Sequence, residues 1–250
     1  MIRAAGSGFS LTPVLGVARV EPKDGVRLKP DPAALRRIVV VSPHLDDGVL
    51  SLGAAMAKWA RGGARVELLT VLACDPDSTA PAGGWDLRGG FASEGESARA
   101  RREEDRRACS CLDVAPVWLP FGSVDYERHG TGADVRDAVA EAVVGADEVL
   151  LPGFPLSHPD HAWLAELLDG SDFRVARTGR YAEPLYVRRA EAQPRAVYTA
   201  VRTSARDRLA KWRAIREYRS QLPLLGLSRN LRRGPLSLAL APEAVAWSDL

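Results

Sequence analysis

The sequence predicts an α/β fold: a Rossmann-like, mainly parallel sheet with helices on both faces. Three observations carry this. Short β-branched runs such as Ile38-Val39-Val40-Val41 alternate with longer segments of helical spacing. The chain has 250 residues, 46% of them hydrophobic, enough for one large core. Polar, chemistry-bearing residues collect on loops directly after strands, at the edge where open α/β sheets bind ligands.

The elements follow in order. Residues 1–35 combine prolines with weak periodicity. They are expected to form an N-terminal extension packed on a single domain spanning 1–250, with 11–17 a candidate edge strand. Strand 38–42 passes through Pro43 into helix 49–61, whose apolar positions recur at helical spacing and which Gly62-Gly63 stops. Strand 66–72 feeds a long Gly- and Pro-rich loop over 73–93, in which Trp85 and Phe91 either pin the loop or present a ring to a sugar face. Helix 94–112 and strand 114–119 come next, then a loop over 120–132 containing Asp125, Tyr126 and His129. Helix 134–144, strand 148–151 and helix 162–168 continue the alternation. Strands 185–187 and 196–201, helix 205–218 and a Leu- and Pro-rich tail from Leu222 complete it.

Composition narrows the function classes. With 34 basic against 32 acidic residues the net charge is +2, which gives no reason to expect a nucleic-acid partner. No apolar run approaches the ~20 residues that span a bilayer, and residues 1–6 lack the apolar core of a signal peptide. The expectation is a cytoplasmic protein with no membrane partner. Cys74, Cys109 and Cys111 are an odd count without disulfide spacing, so free thiols are expected. Cys109 and Cys111 stand two apart on a predicted helix and do not share a face.

Two stretches carry chemistry. His44-Leu45-Asp46-Asp47 sits on a tight strand-to-helix turn. An imidazole beside carboxylates suits a divalent metal, and two adjacent Asp side chains would repel each other without a cation. The alternative is that Asp46 or Asp47 caps the following helix and His44 is incidental. The second stretch, His158-Pro159-Asp160-His161, again follows a strand, and three of the chain's four histidines fall on these two loops. Together they predict one shared site. The fourth, His129, is expected to be solvated.

These two motifs resemble those of the LmbE-like, or PIG-L, family of zinc-dependent N-deacetylases. Arg101-Arg102-Glu103-Glu104 and the stretch from Lys211 to Tyr218-Arg219-Ser220-Gln221 resemble two further helices of that family, so the likeness covers about residues 36–221. Leu45 and Gly48 depart from its pattern at positions that are not metal ligands. The resemblance implies an LmbE-like fold and a Zn2+ cofactor, with other divalent metals acceptable to the same donors. It implies His44, Asp47 and His161 as metal ligands and Asp46 as general base. His158 would be a charged donor to the oxyanion, held by Asp160, and Arg101 would bind substrate hydroxyls. The implied substrate is a small N-acetylated amino sugar or glycoside, natural-product intermediates included. Three alternatives stand beside it. One is a non-haem Fe(II) oxygenase using His44, Asp46 and His161. The others are an amidase acting on a thiol conjugate and a non-catalytic sugar-binding protein.

Overall fold

The computed structural model describes residues 36–126, 129–153, 156–186, 197–227 and 234–248. The expected extension 1–35, with its candidate edge strand, lies outside them. The described chain runs β1 (Arg37–Ser42), α1 (Asp47–Arg61), β2 (Arg65–Thr70), α2 (Gly84–Arg88), α3 (Glu94–Leu112) and β3 (Ala115–Trp118). It continues through α4 (Gly132–Ala142), β4 (Glu148–Pro152), α5 (Pro159–Leu167), β5 (Arg177–Tyr181) and β6 (Thr199–Ala200). It closes with α6 (Ala205–Ile215), α7 (Pro235–Leu240) and β7 (Ala244–Ser248).

The strands form one sheet in the order β3-β2-β1-β4-β5-β7-β6. The first five are parallel, while β7 pairs antiparallel with both β5 and β6. The chain moves outward from β1 to β3 on one side, then restarts with β4 on the other. β1 and β4 therefore flank a topological switch point, where the loops leaving the strand ends diverge and open a crevice.

Alternation along the strands supplies both faces of the sheet. Ile38 and Val40 of β1 pack with Leu68, Leu150 and the apolar stripes of α1, α3, α6 and α7. Val39 and Val41 point the other way, toward Leu69, Val149, Leu151, α4 and α5. All four β1 side chains are at most 1% exposed. Burying each is worth about 1.5–3 kcal/mol, and a continuous apolar run of this kind suits a strand covered on both faces.

α1 is bent. Leu52 leaves helical geometry at φ −125°, ψ 15°. The next turn sends Ala54 N–H and Ala55 N–H to the buried carboxylate of Glu243, at 3.0 and 2.6 Å. Lys211 Nζ of α6 donates to the same carboxylate at 2.6 Å. Gly53 allows this close approach, since a Cβ there would meet Lys211 Cγ at 2.8 Å. Gly48 is equally constrained: a Cβ would meet Leu68 Cδ1 at 2.4 Å, which leaves no room for a larger residue.

The two helix motifs bind each other. Glu104 of α3 accepts from Ser220 N–H and Oγ–H at 2.9 and 2.7 Å, and Asp105 accepts from Tyr218 Oη at 2.7 Å. Several elements differ from expectation. α5 begins at Pro159, three residues earlier than its apolar pattern, because proline suits a first helical turn and His158 caps it. β5, Arg177-Thr178-Gly179-Arg180-Tyr181, carries no run of apolar residues that marks it as a strand, and β7, Ala244-Val245-Ala246-Trp247-Ser248, lies in the tail, where no strand is expected. Arg177 of β5 covers Trp247 of β7, with the guanidinium 4.0 Å from the ring centroid. The expected strand 185–187 is a turn at Leu185 and Tyr186, its third residue lying outside the described residues. Strand 196–201 reduces to Thr199–Ala200, with Ala196 likewise outside. Cys74 and Cys109 are buried free thiols and Cys111 is an exposed one. Among the described residues no helix is long and apolar enough to cross a membrane.

Candidate metal centre and active site

β1 ends at Ser42, whose hydroxyl donates to His44 O at 2.8 Å and accepts Gly48 N–H at 2.9 Å. This clasp forces a tight turn. Asp46 absorbs the strain at φ 141°, a region a side chain rarely adopts. It occupies the N-cap position of α1, yet its side chain makes no capping hydrogen bond. The simple capping alternative therefore fails for Asp46, whose carboxyl instead lines a cavity. Asp47 opens α1 and turns its carboxylate back, accepting His44 N–H at 3.0 Å.

The switch point brings the second loop alongside. His44 Nδ1 lies 3.1 Å from Asp47 Oδ2 and 3.2 Å from His161 Nε2. His161 Nε2 lies 3.1 Å from Asp47 Oδ2, closing a triangle of three donor atoms. Tetrahedral zinc with bonds near 2.0–2.1 Å separates its ligand atoms by about 3.3 Å, so the triangle has the right size. Asp47 Oδ1 is buried without a hydrogen-bond partner, which further fits a group that satisfies a cation. Among the described residues, His44, His158 and His161 form one grouping close enough to hold an ion, and Asp47, His161 and Glu183 form another. The expected trio of His44, Asp47 and His161 draws two residues from each grouping, and its three donor atoms stand 3.1–3.2 Å apart.

Each triangle imidazole is backed by a carboxylate on its far nitrogen. His44 Nε2 lies 3.0 Å from Asp160 Oδ2, which also accepts Val124 N–H at 3.0 Å. His161 Nδ1 pairs with the buried Glu183. Such partners fix the tautomer and aim the other nitrogen at the ion. The expected support of His158 by Asp160 takes a different form: the Asp160 backbone N–H donates to His158 Nδ1 at 3.3 Å. A neutral His158 then carries its proton on Nε2 and can donate without being charged. Burial, with His44 and His161 nearby, in fact lowers its pKa to about 4.

The remaining electrostatics follow from burial and neighbours. Burial opposes charge on His161, but Asp47 and Glu183 outweigh it and raise its pKa to about 10. Burial would raise Asp47, yet His161 and His44 hold it well below the usual carboxylate range. Burial and then the Asp47 charge push Asp46 well above that range. Two adjacent carboxyls are thus pulled in opposite directions because one faces imidazoles and the other faces the cavity. The carboxylates draw positive charge into the triangle, a demand a cation meets directly.

The cavity has a volume of about 410 Å³ and is lined by His44, Asp46, Arg101, His158 and Asp160. Arg101 reaches it from α3, is held 3.4 Å from Asp86 Oδ1, and keeps a buried Nε without a partner. Trp85, Asp86, Asp125, Tyr126, Tyr186 and Gln221 complete much of the wall. Loops after all five parallel strands therefore meet here. His129 does not line this cavity; its Nε2 is 3.5 Å from Glu94 Oε1. Sequence reasoning missed Glu183 and Tyr186, whose ring centroid is 4.1 Å from that of His161. Both follow β5, and recognising that strand is the one signal that would have flagged its loop.

Residues 39–170 match the family model PIG-L, described as GlcNAc-PI de-N-acetylase. No curated protein matches the chain. Among solved structures, it is similar to a triple mutant of a deacetylase of the teicoplanin biosynthetic pathway. That pair shares 26% identity and a TM-score of 0.69, over 85% of this chain and 99% of the other. It shares the fold of the A40926 pseudoaglycone deacetylase Dbv21 at 24% identity and TM-score 0.69, over 84% and 96% of the two chains. It also shares that of the N,N'-diacetylchitobiose deacetylase from Pyrococcus horikoshii at 20% identity and TM-score 0.53, over 77% and 76%.

Proposed function

Because the chain belongs to the PIG-L family, we propose that it is a metal-dependent hydrolase that removes the N-acetyl group from an amino sugar or glycoside, releasing acetate and a free amine. The observation that carries this reading is the triangle of His44 Nδ1, Asp47 Oδ2 and His161 Nε2, with Asp46, Arg101 and His158 around the adjoining cavity. These three atoms would hold the ion. Zinc is the first candidate, and iron, cobalt and manganese suit the same donors. When bound, the ion supplies Lewis acidity, making water more acidic and an acyl carbonyl more electrophilic.

The chain's own groups do the rest. Asp46 lines the cavity free of any capping bond and takes the proton of the attacking water. His158 donates Nε2–H to the former carbonyl oxygen as negative charge builds on it. Asp46 then returns its proton to the amine nitrogen as the C–N bond breaks. Asp160 and Glu183 keep the two liganding imidazoles aimed. Arg101 holds substrate hydroxyls at the wall.

The oxygenase alternative needs Asp46 beside both imidazoles on a double-stranded β-helix. Here the carboxylate within 3.1 Å of both is that of Asp47, and five strands run parallel. The deciding experiment loads the protein with zinc and follows acetate release from N-acetylhexosaminides. Asp46→Asn should keep the metal and lose about 10²–10⁴-fold in turnover. Undiminished turnover in that variant removes Asp46 from the chemistry. Failure of the loaded wild type to release acetate from any N-acetylated sugar sinks the whole reading.

A further inference from the structure

One wall of the cavity has a different character from the metal side. Trp85 of α2 and Leu225, in the turn after α6, both line it there. The Trp85 indole N–H donates to Gln221 Oε1 at 2.8 Å, and Leu225 N–H donates to Gln221 O at 3.0 Å. The Gln221 amide orientation is settled by its other end. Its Nε2 donates to Ser220 Oγ at 2.9 Å, and that hydroxyl in turn donates to Glu104 at 2.7 Å. The Trp85 backbone N–H donates to Asp125 Oδ2 at 3.0 Å, and the Arg88 guanidinium lies 5.0 Å from the ring centroid.

The indole is thus fixed before any ligand arrives, and its only donor is already used. Asp86, next to it, is likewise committed to Tyr126 Oη–H at 2.6 Å and to Arg101. What this wall offers a ligand is a fixed aromatic side chain, with the apolar Leu225 lining the same cavity. A pre-ordered aromatic surface binds flat rings at little entropic cost. The cavity volume of about 410 Å³ lies within the roughly 300–1,000 Å³ that encloses drug-sized ligands. An acetamido group and one pyranose ring leave part of such a space unfilled.

We infer that the Trp85–Leu225 wall is a subsite for a flat apolar ring joined to the amino sugar, an aryl aglycone, with Trp85 as its platform. This deepens the deacetylase reading and rests on it for the sugar half of the substrate. Trp85 is then a specificity-determining residue that selects aryl glycosides over alkyl ones.

The test separates binding from turnover. Calorimetric titration uses 4-nitrophenyl β-D-glucopyranoside and methyl β-D-glucopyranoside, neither of which contains an amide. The wild type should bind the aryl glycoside about ten-fold more tightly. That ratio should collapse toward one in Trp85→Ala, fall in Leu225→Ala, and persist in Trp85→Phe. Equal affinities in the wild type, or a ratio unchanged in Trp85→Ala, overturns the subsite. Acetate release from the matching N-acetylglucosaminides is scored separately. A Trp85-dependent binding ratio without acetate release leaves the subsite standing and removes the proposed reaction.

Discussion

Asp46 and Asp47 are neighbours in the chain and opposites in environment. The strained φ of Asp46 swings its carboxyl to the cavity, while Asp47 turns back onto two imidazoles. The residue types and their order suited a metal or a helix cap, and the division into metal donor and base was implied by the family resemblance. Which carboxyl does which depends on a backbone angle that no residue type specifies. Glu183 shows the opposite limit. It is fully enclosed against His161, yet nothing around Ala182-Glu183-Pro184 marks it as functional. Its job predicts an effect on the ion. Glu183→Gln should weaken metal affinity about 10–100-fold, read by competition with a chelator. An unchanged affinity would mean that packing alone orients His161.

At the scale of elements, α1 depends on a partner almost two hundred residues away. Glu243 accepts the N–H groups of its second half where the helix breaks at Leu52, and Lys211 neutralises that carboxylate. Both are buried, so removing one leaves an uncompensated charge. Lys211→Met should cost about 3–5 kcal/mol in urea unfolding. The double variant with Glu243→Gln should recover part of that loss, since no buried charge then remains. A cost below about 1 kcal/mol in the single variant would show that water reaches the pair. The pattern of α1 was legible because its apolar stripe is regular. The break was not, because its cause lies in a later element. β5 was illegible for a related reason: its neighbours cover polar stems, so no apolar run announces it.

Over the whole molecule, the triangle joins the end of β1 to the start of α5, across the switch point between β1 and β4. An ion held there is a cross-link present only in the folded chain. Metal at about 100 times its dissociation constant should stabilise the fold by roughly 2.7 kcal/mol. For a chain of this size that corresponds to a rise of roughly 5–10 °C in Tm. His161→Ala should abolish the rise. A rise of equal size in that variant would place the stabilising ion elsewhere.

The sequence by itself determined the α/β class and the two His- and Asp-bearing loops that meet at one cavity, because periodicity and side-chain chemistry are local properties; the split of roles among His44, Asp46, Asp47 and His161 was implied only by the family resemblance. Only the tertiary structure decided that β4 lies against β1 and that Asp160 backs His44 while Glu183 backs His161. It also decided that Trp85 is locked by Gln221. Each of these depends on strand order or on a pairing between distant loops. A side chain's identity says which bonds it can make; the sheet's topology says which partners come within reach.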